Sequence, residues 1–425
     1  WWQGDTTGNV ILTAFGMMML RDTQAVYPAV DDGVIDRAFR FLAAQQQPDG
    51  FWGEDRHLHA GNENLGAGRL RSTCYIAWAL AASGYGDDPV TRKALDGIAA
   101  TAGGEEDLYT LGVCANALAL TGRKGAALER ILDRTARAAV REGERLHWEP
   151  GGMTLVQSGG IAAQVEVTAL LALAWVAAGY HLEDVAAVVD WLAASKDPQG
   201  NWGYNTQATV LALKVFLAAA RLETGSTDAR VRVLLDGREL GARLFDEFNR
   251  DVLWQVEIPQ EALGSARTLT LELAGTGNLG YQVVTGHHVP WGGEEAPARA
   301  LDIEVSWDRK LLSVDDTVRA RVRVQRNDEE ARGAVLLTLG IPPGFDLLGE
   351  DLDGLRTERV IRSWESTGRQ LILYLDELPL GRGVQLEYRL RARMPVKAAT
   401  GGAEARLYYR ADVRAVQAPG DLEVR

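Results

Sequence analysis

The first 220 residues or so alternate between two kinds of apolar segment, and this alternation restricts the fold more than any other feature. Segments of the first kind are apolar on nearly every side, as buried helices are: Val10–Leu20, Thr73–Ala82, Leu108–Leu120, Val165–Ala178 and Ala208–Ala219. Segments of the second kind are amphipathic, with apolar residues three and four positions apart: Val34–Gln46, Val90–Ala102, Ala126–Val140 and Leu182–Ala194. Because buried and surface helices alternate along the chain, the pattern predicts two concentric layers of helices, which is an α/α toroid.

From about residue 228 onward, apolar and polar residues alternate singly, which predicts strands with one buried face. The segments are Arg230–Leu235, Thr268–Leu273, Asp302–Trp307, Val318–Gln325, Gln370–Leu375 and Gln385–Arg391. Since no helical pattern separates them, they predict antiparallel β-sandwiches. We therefore predict a multidomain α plus all-β protein: a toroid over residues 1–224, a β segment over 225–296 and a β-sandwich over 297–425.

Charge and hydropathy exclude several classes of partner. The 425 residues include 45 Lys and Arg against 58 Asp and Glu, which leaves a net charge of −13. We therefore expect neither nucleic acid nor an anionic membrane surface as a partner. No uninterrupted, strongly apolar run reaches about 18 residues, so we predict no transmembrane segment. The chain starts with Trp1 rather than Met, which suggests a piece of a longer protein.

Both cysteines, Cys74 and Cys114, lie in apolar runs, and we predict that they are buried as small hydrophobic side chains. Their number excludes a four-cysteine zinc site and a disulfide scaffold. Asp55, His57, His59 and Cys74 are residue types that can bind zinc, but their spacing along the sequence does not favour a zinc site. We predict no metal and no cofactor.

Two similar turns close the first and last outer helices. Gln46–Trp52 (QQPDGFW) and Lys196–Trp202 (KDPQGNW) each combine a Pro turn, a Gly and a Trp. The first fits the Gln-x-x-x-Gly-x-Trp motif of triterpene cyclases, which are α/α toroids. The same kind of turn motif between helices occurs in prenyltransferases and in thioester domains. An isoprenoid-processing toroid enzyme is therefore an alternative, although the Ala-rich inner helices leave little room for a lipid.

Five stretches, taken in order, are similar to the alpha-macroglobulin family. Trp1–Leu20 resembles its Trp-rich stretch before a Leu-Thr-Ala-Phe helix, and Gln164–Ala169 (QVEVTA) resembles its Val-Glu-x-Thr helix. Asn205–Leu213 (NTQATVLAL) resembles its Thr-Gln helix. Val335–Leu348 (VLLTLGIPPGFDLL) and Gln370–Leu378 (QLILYLDEL) resemble its receptor-binding domain, and the bacterial members are the most similar in style.

This resemblance implies the C-terminal part of a broad-spectrum protease inhibitor, not an enzyme, that traps endopeptidases through a conformational change. It also implies a CUB-like identity for residues 225–296. A periplasmic or extracellular location is expected. The protein could also be anchored to the cell envelope through an N-terminal region that this sequence does not include. A thioester-less structural protein of the cell envelope, which binds without trapping, is a further alternative.

In most members a Cys-Gly-Glu-Gln motif forms an internal thioester, and burial protects it until the conformational change. No Cys-Gly-x-Gln occurs in this sequence. The thioester would then lie upstream of Trp1, or the protein would lack one. With a thioester, cell-surface nucleophiles would be additional partners.

Two polar features are candidates for a site. Gly50–His59 (GFWGEDRHLH) resembles the complement stretch whose catalytic His directs acyl transfer to hydroxyl groups. His59 is the nearest match and His57 the next, since imidazole exchanges protons near neutral pH. The alternative is a pair of solvated loop histidines without a catalytic role. Glu166 lies in an apolar helix, and we predict that it is a buried structural hydrogen-bond acceptor.

Overall fold

The computed structural model describes most of the chain in two compact units. The described residues are 8–53, 68–152, 154–156, 158–197, 200–203, 205–222, 227–249, 252–264, 268–277, 280–286, 300–329, 331–408 and 410–425. One unit combines residues 1–216 with 287–425, and the other comprises Leu217–Gly286. The division of the chain into three domains stays a prediction.

The N-terminal part is an α/α toroid, as the alternation predicts. The inner helices are α1 (Val10–Gln24), α3 (Arg69–Leu80), α5 (Leu108–Leu120), α7 (Gly160–Ala178) and α9 (Thr206–Leu222). The outer helices are α2 (Asp32–Gln45), α4 (Pro89–Thr101), α6 (Ala126–Arg137) and α8 (Val185–Ala194). In α5 every residue from Tyr109 to Ala119 is buried, whereas α6 buries only a stripe. Asp31 caps α2 by accepting the Gly33 N–H at 2.9 Å.

The inner helices run in the same direction, because an outer helix returns the chain between each pair. Near the starts of α3 and α5, Arg71 Nε donates to Thr110 Oγ1 at 2.9 Å. Further along, Asn116 Nδ2 donates to the Leu170 carbonyl of α7 at 2.8 Å. The inner helices therefore all start at one end of the toroid. We call this end the entry face: the described parts of the segments 46–68, 102–107, 148–159 and 195–205.

Three buried tryptophans on the entry face join outer helices to inner ones. The indole N–H groups of Trp52, Trp148 and Trp202 donate to the carbonyls of Leu42 (2.8 Å), Thr135 (2.7 Å) and Leu192 (2.8 Å), each in the last turn of an outer helix. The backbone N–H groups of Trp52 and Trp148 donate to the hydroxyls of Thr73 and Thr168, both at 3.1 Å. The turns at residues 52 and 202 thus end in the same indole contact, and Trp148 makes this contact directly after strand β2.

The two cysteines form a disulfide, so the prediction of two unpaired apolar side chains is wrong. Cys74 of α3 and Cys114 of α5 are bonded, with their Cα atoms 4.7 Å apart. Both are 0 % exposed, as predicted. They are the sixth and seventh residues of adjacent parallel helices. This equal depth brings them together although 40 residues separate them along the chain.

The end of α6 also differs from the prediction. The helix ends at Arg137, and residues predicted to continue it to Val140 instead enter a hairpin of β1 (Val140–Glu142) and β2 (Arg145–His147). Gly143 turns the hairpin with a φ of 62°, a backbone conformation that favours glycine. The hairpin carries the chain towards Trp148.

Helix α7 has the length and apolar composition to cross a membrane. In the toroid it is a core helix, with 67 % of its most apolar window buried by neighbouring helices. Among the described residues no other helix satisfies both criteria.

The unit Leu217–Gly286 contains one antiparallel sheet in the order β4-β3-β5. Its strands are β3 (Asp228–Leu235), β4 (Arg238–Phe245) and β5 (Leu269–Thr276), and a short helix α10 (Gln260–Leu263) precedes β5. Asp236 and Gly237 both have positive φ, as a two-residue type I′ hairpin turn requires. Arg232 pairs with Glu239 at 2.7 Å and with Glu272 at 2.6 Å across the three strands.

The C-terminal part is a β-sandwich with its own core. One sheet has the order β10-β13-β8-β6, the second β11-β12-β9-β15-β16, and a small third sheet β14-β17-β7. The strands are β6 (Leu301–Trp307), β7 (Leu311–Leu312), β8 (Thr317–Arg326), β9 (Ala334–Gly340), β10 (Phe345–Leu347), β11 (Ser363–Ser366), β12 (Gln370–Glu377), β13 (Val384–Ala392), β14 (Val396–Ala399), β15 (Ala403–Leu407), β16 (Arg410–Gln417) and β17 (Asp421–Val424), with helix α11 (Gly349–Thr357) after β10.

Pairing in the two large sheets is antiparallel, as predicted, whereas β17 and β7 pair in parallel. The alternation in β8 places Val318, Val322 and Val324 in the core, with the intervening arginines exposed. The Gln417 side chain bridges the sheets, since its Nε2 donates to the Val305 carbonyl at 2.8 Å.

Candidate functional site

The predicted site residues His57 and His59 lie outside the described residues, within 54–67. Gly53 and Gly68, which flank this segment, are described and lie on the entry face. The Arg69 guanidinium donates to Gln47 Oε1 at 2.5 Å and to Asp49 Oδ2 at 2.9 Å. These hydrogen bonds from Arg69 hold the pKa of Asp49 below its usual range. An ion pair between Asp49 and Arg69 therefore joins the residues that precede and follow the segment 54–67.

A second polar group joins the starts of α3 and α5. Asp107 caps α5, because its Oδ2 accepts the Thr110 backbone N–H at 2.8 Å. The same carboxylate oxygen accepts from Arg71 Nη2, also at 2.8 Å. Both side chains of this ion pair are about four-fifths buried. The pair fixes the spacing of the two inner helices that the disulfide also connects.

The third polar group is centred on Glu166, which is 0 % exposed. Asn205 caps α9, with its Oδ1 accepting the Ala208 N–H at 2.9 Å, and its Nδ2 donates to Ser158 Oγ at 2.8 Å. Ser158 therefore donates its own proton to Glu166 Oε1. Glu166 Oε2 has no hydrogen-bond partner among the described residues. The chain of bonds ties the starts of α7 and α9, which confirms Glu166 as a buried acceptor.

Burial raises the pKa of the Glu166 carboxyl to about 8, against the opposite effect of the Ser158 and Thr154 hydroxyls. Glu166 is therefore protonated at neutral pH. Tyr75 and Tyr109 lie near it, and burial raises the pKa of both phenols, with the Glu166 charge as a smaller cause. This group is a neutral, water-excluded network.

The entry face also meets the β-sandwich. Gly159, directly before α7, lies against Arg410 at the start of β16. A Cβ atom at residue 159 would be 3.2 Å from Arg410 Cδ. A larger residue at this position would have to displace the arginine. The sandwich thus lies next to the Glu166 network.

One group of metal-ligand type occurs within the part of the chain that the structure describes, away from the entry face. His181, Glu183 and Asp184 place ligand atoms within 4.8 Å of one another. Arg141 already pairs with Asp184 at 2.7 Å and compensates its charge. Cys74 cannot complete the zinc set weighed from the sequence, because it is disulfide-bonded. We assign no metal site.

Comparisons with known proteins agree with this architecture. The A-macroglobulin TED domain family matches residues 1–218, just over half of the chain, and the A-macroglobulin receptor binding domain family matches residues 330–417. Among curated protein sequences, none matches significantly.

Solved structures of bacterial proteins have a similar fold. The native conformation of Escherichia coli alpha-2-macroglobulin matches with a TM-score of 0.64 and 18 % identity, over 100 % of this chain and 26 % of that one. The Y1175G mutant of Salmonella alpha-2-macroglobulin gives a TM-score of 0.63, with the same identity and coverage. The methylamine-reacted Salmonella protein gives 0.60 and 18 % identity, over 98 % and 26 %. This chain thus spans about a quarter of the length of each of these three structures.

Proposed function

Because the chain belongs to the alpha-macroglobulin family, we propose that it forms the C-terminal part of a broad-spectrum endopeptidase inhibitor that traps its target by a conformational change. The observation that carries the proposal is the succession of two family domains, with the toroid contacting the β-sandwich at the entry face. The proposed conformational change would alter this contact between Gly159 and Arg410. The family match leaves the isoprenoid-enzyme alternative without support.

The protein acts once per target in this proposal and is not an enzyme. Ser158 donates a hydrogen bond to Glu166, an arrangement that a nucleophile and its general base can also have. Both residues, however, are 0 % exposed. Substrate could not reach them while the toroid is folded. They are better explained as structural residues that order the entry face.

Covalent capture would require a thioester outside this chain. The sequence has no Cys-Gly-x-Gln, and the disulfide occupies both cysteines. If a thioester is present upstream, we propose that His59, or His57 beside it, selects its acceptor, and that cell-surface nucleophiles are additional partners. The residues on either side of the histidines, Asp49 and Arg69, form an ion pair on the entry face, which supports this proposal.

The acceptor role predicts a change in selectivity. In the full-length protein, His59→Ala should shift thioester transfer from glycerol towards methylamine, measured by mass spectrometry of the adducts. His181→Ala, an outer-layer histidine, should leave the ratio unchanged. An unchanged glycerol-to-methylamine ratio in His59→Ala and His57→Ala would exclude both histidines from acceptor selection.

The disulfide supports a periplasmic or extracellular location. Disulfides persist in oxidising compartments and are rare in the cytosol. Cys74 and Cys114 are fully buried, so this disulfide is of the structural kind. We propose that the protein encounters its target endopeptidases there.

The trapping proposal predicts that capture depends on cleavage. The full-length protein, mixed with active trypsin, should carry the protease with it in gel filtration. Trypsin with a blocked active-site serine should elute separately. Equal binding of both forms would instead indicate a binding protein that does not trap, the structural alternative.

A further inference from the structure

The β-sandwich contains a half-open cavity of about 310 Å³, where β9 and β16 end and β15 begins. Its wall includes Gly340 and Gly401. A Cβ atom at Gly340 would lie 2.4 Å from the Thr400 carbonyl oxygen and 2.7 Å from the Gly401 Cα. The two backbones therefore approach each other directly. No side chain from either glycine can fill the space beside them.

Tyr388 of β13 lines this cavity and is 1 % exposed. It has no hydrogen bond to any residue that the structure describes. Burial raises the pKa of the phenol, so the hydroxyl remains a donor at physiological pH. Buried polar groups normally have partners. The Tyr388 hydroxyl at the cavity wall is therefore free to donate to an acceptor within the cavity.

Two further donors line the same cavity. Trp307 of β6 forms no hydrogen bond with the described residues, which leaves its indole N–H available. Lys310 is the one charged residue of the lining and has no ion pair in the described part of the chain. The Gln417 amide is already occupied, because it exchanges two hydrogen bonds with the Val305 backbone. The uncommitted side chains thus include two neutral donors and one cation.

We propose that this cavity binds a small carboxylate attached to an apolar group. Tyr388 and Trp307 donate to its oxygens, Lys310 compensates its charge, and the apolar group packs against Leu339 and the indole face. A single lysine suits a monoanion, whereas phosphate recognition usually recruits several cations or an arginine fork. The volume is at the lower end for ligand pockets and fits a group of leucine or phenylalanine size. A free acid and the carboxyl terminus of a peptide share this chemistry.

The test is a ¹⁹F NMR titration of the full chain labelled with 5-fluorotryptophan, in which Trp307→Phe identifies the Trp307 resonance. We expect 3-phenylpropanoate to shift this resonance in a saturable way and 3-phenylpropanamide to bind about tenfold more weakly. Lys310→Gln should abolish the preference for the acid. Tyr388→Phe, which keeps the ring, should weaken binding of the acid several-fold.

Lys397→Gln serves as the matched control, since Lys397 is an exposed lysine of the same sandwich outside the cavity. It should leave both titrations unchanged. N-acetyl-Gly-Phe distinguishes the sources: tighter binding than 3-phenylpropanoate indicates a peptide carboxyl terminus, and weaker binding a free acid. The proposal is overturned if acid and amide bind equally, if neither shifts Trp307, or if Lys310→Gln keeps the preference. If the Tyr388→Phe variant does not fold, the proposal is judged by whether Lys310→Gln removes the preference for the acid over the amide.

Discussion

Replacement of both cysteines, Cys74→Ala with Cys114→Ala, is expected to lower the free energy of unfolding of the toroid by roughly 3–4 kcal/mol. The disulfide closes a loop with a sequence separation of 40 residues, which restricts the unfolded chain. The paired sulfurs also fill core volume between α3 and α5, and alanines leave part of it empty. The measurement is urea unfolding followed by circular dichroism. In a thermal scan the midpoint should fall by roughly 10 °C.

Reduction provides the matched control for this prediction. Both cysteines are fully buried, so dithiothreitol should not reduce the native protein until the toroid unfolds. In urea the same reagent should release two thiols and reproduce the lower stability of the double variant. Two free thiols in the unreduced, unfolded protein would contradict the disulfide. An unchanged unfolding midpoint would contradict its stabilising role.

The second large effect concerns Glu166 and is expected in the pH dependence of stability. In the unfolded chain its carboxyl ionises near pH 4.5, whereas in the folded toroid it stays protonated to about pH 8. Between these values the folded state holds a proton that the unfolded state has released. The contribution of Glu166 to stability is therefore fully present below about pH 4.5 and is lost as the pH rises towards 8. The total change is on the order of 4 kcal/mol.

Glu166→Gln should remove this dependence, because an amide does not titrate. The difference in unfolding free energy between wild type and variant should fall steadily from pH 4.5 to 8 and then level off. Glu129→Gln, an exposed residue of α6, is the control and should show no such trend. A constant difference between wild type and Glu166→Gln across this range would show that Glu166 is ionised in the folded protein.

The layers of the toroid were predictable because a helix that is buried on every side carries apolar residues on every side, whereas an outer helix carries them on one side only. Helix α5 has apolar residues on every side, and α6 shows its apolar stripe at Leu128, Ile131 and Leu132. The apolar pattern around Cys74 and Cys114 does not indicate that they pair. Their pairing depends on how far each cysteine lies from the start of its helix in two parallel helices. Counting these distances from the predicted helix starts could have revealed it.

The candidate site was predictable only in part. Glu166 stands out as a carboxyl within an apolar helix, so a buried partner could be expected. Its partners Ser158 and Asn205 come from irregular segments, whose positions depend on how the helices pack. The Tyr388 cavity was not predictable either, because the alternation of β13 marks this tyrosine as an ordinary core residue. The cavity depends on where β9, β15 and β16 begin and end, which the alternation within β13 does not reveal.

The most direct test of trapping compares protease activity on substrates of two sizes. Elastase is incubated with an excess of the full-length protein and then assayed with a chromogenic tripeptide and with azocasein. A trap encloses the protease without blocking its active site, so tripeptide hydrolysis should persist while azocasein hydrolysis falls severalfold. Equal loss of both activities would indicate an active-site inhibitor. Unchanged hydrolysis of azocasein would contradict the proposed function.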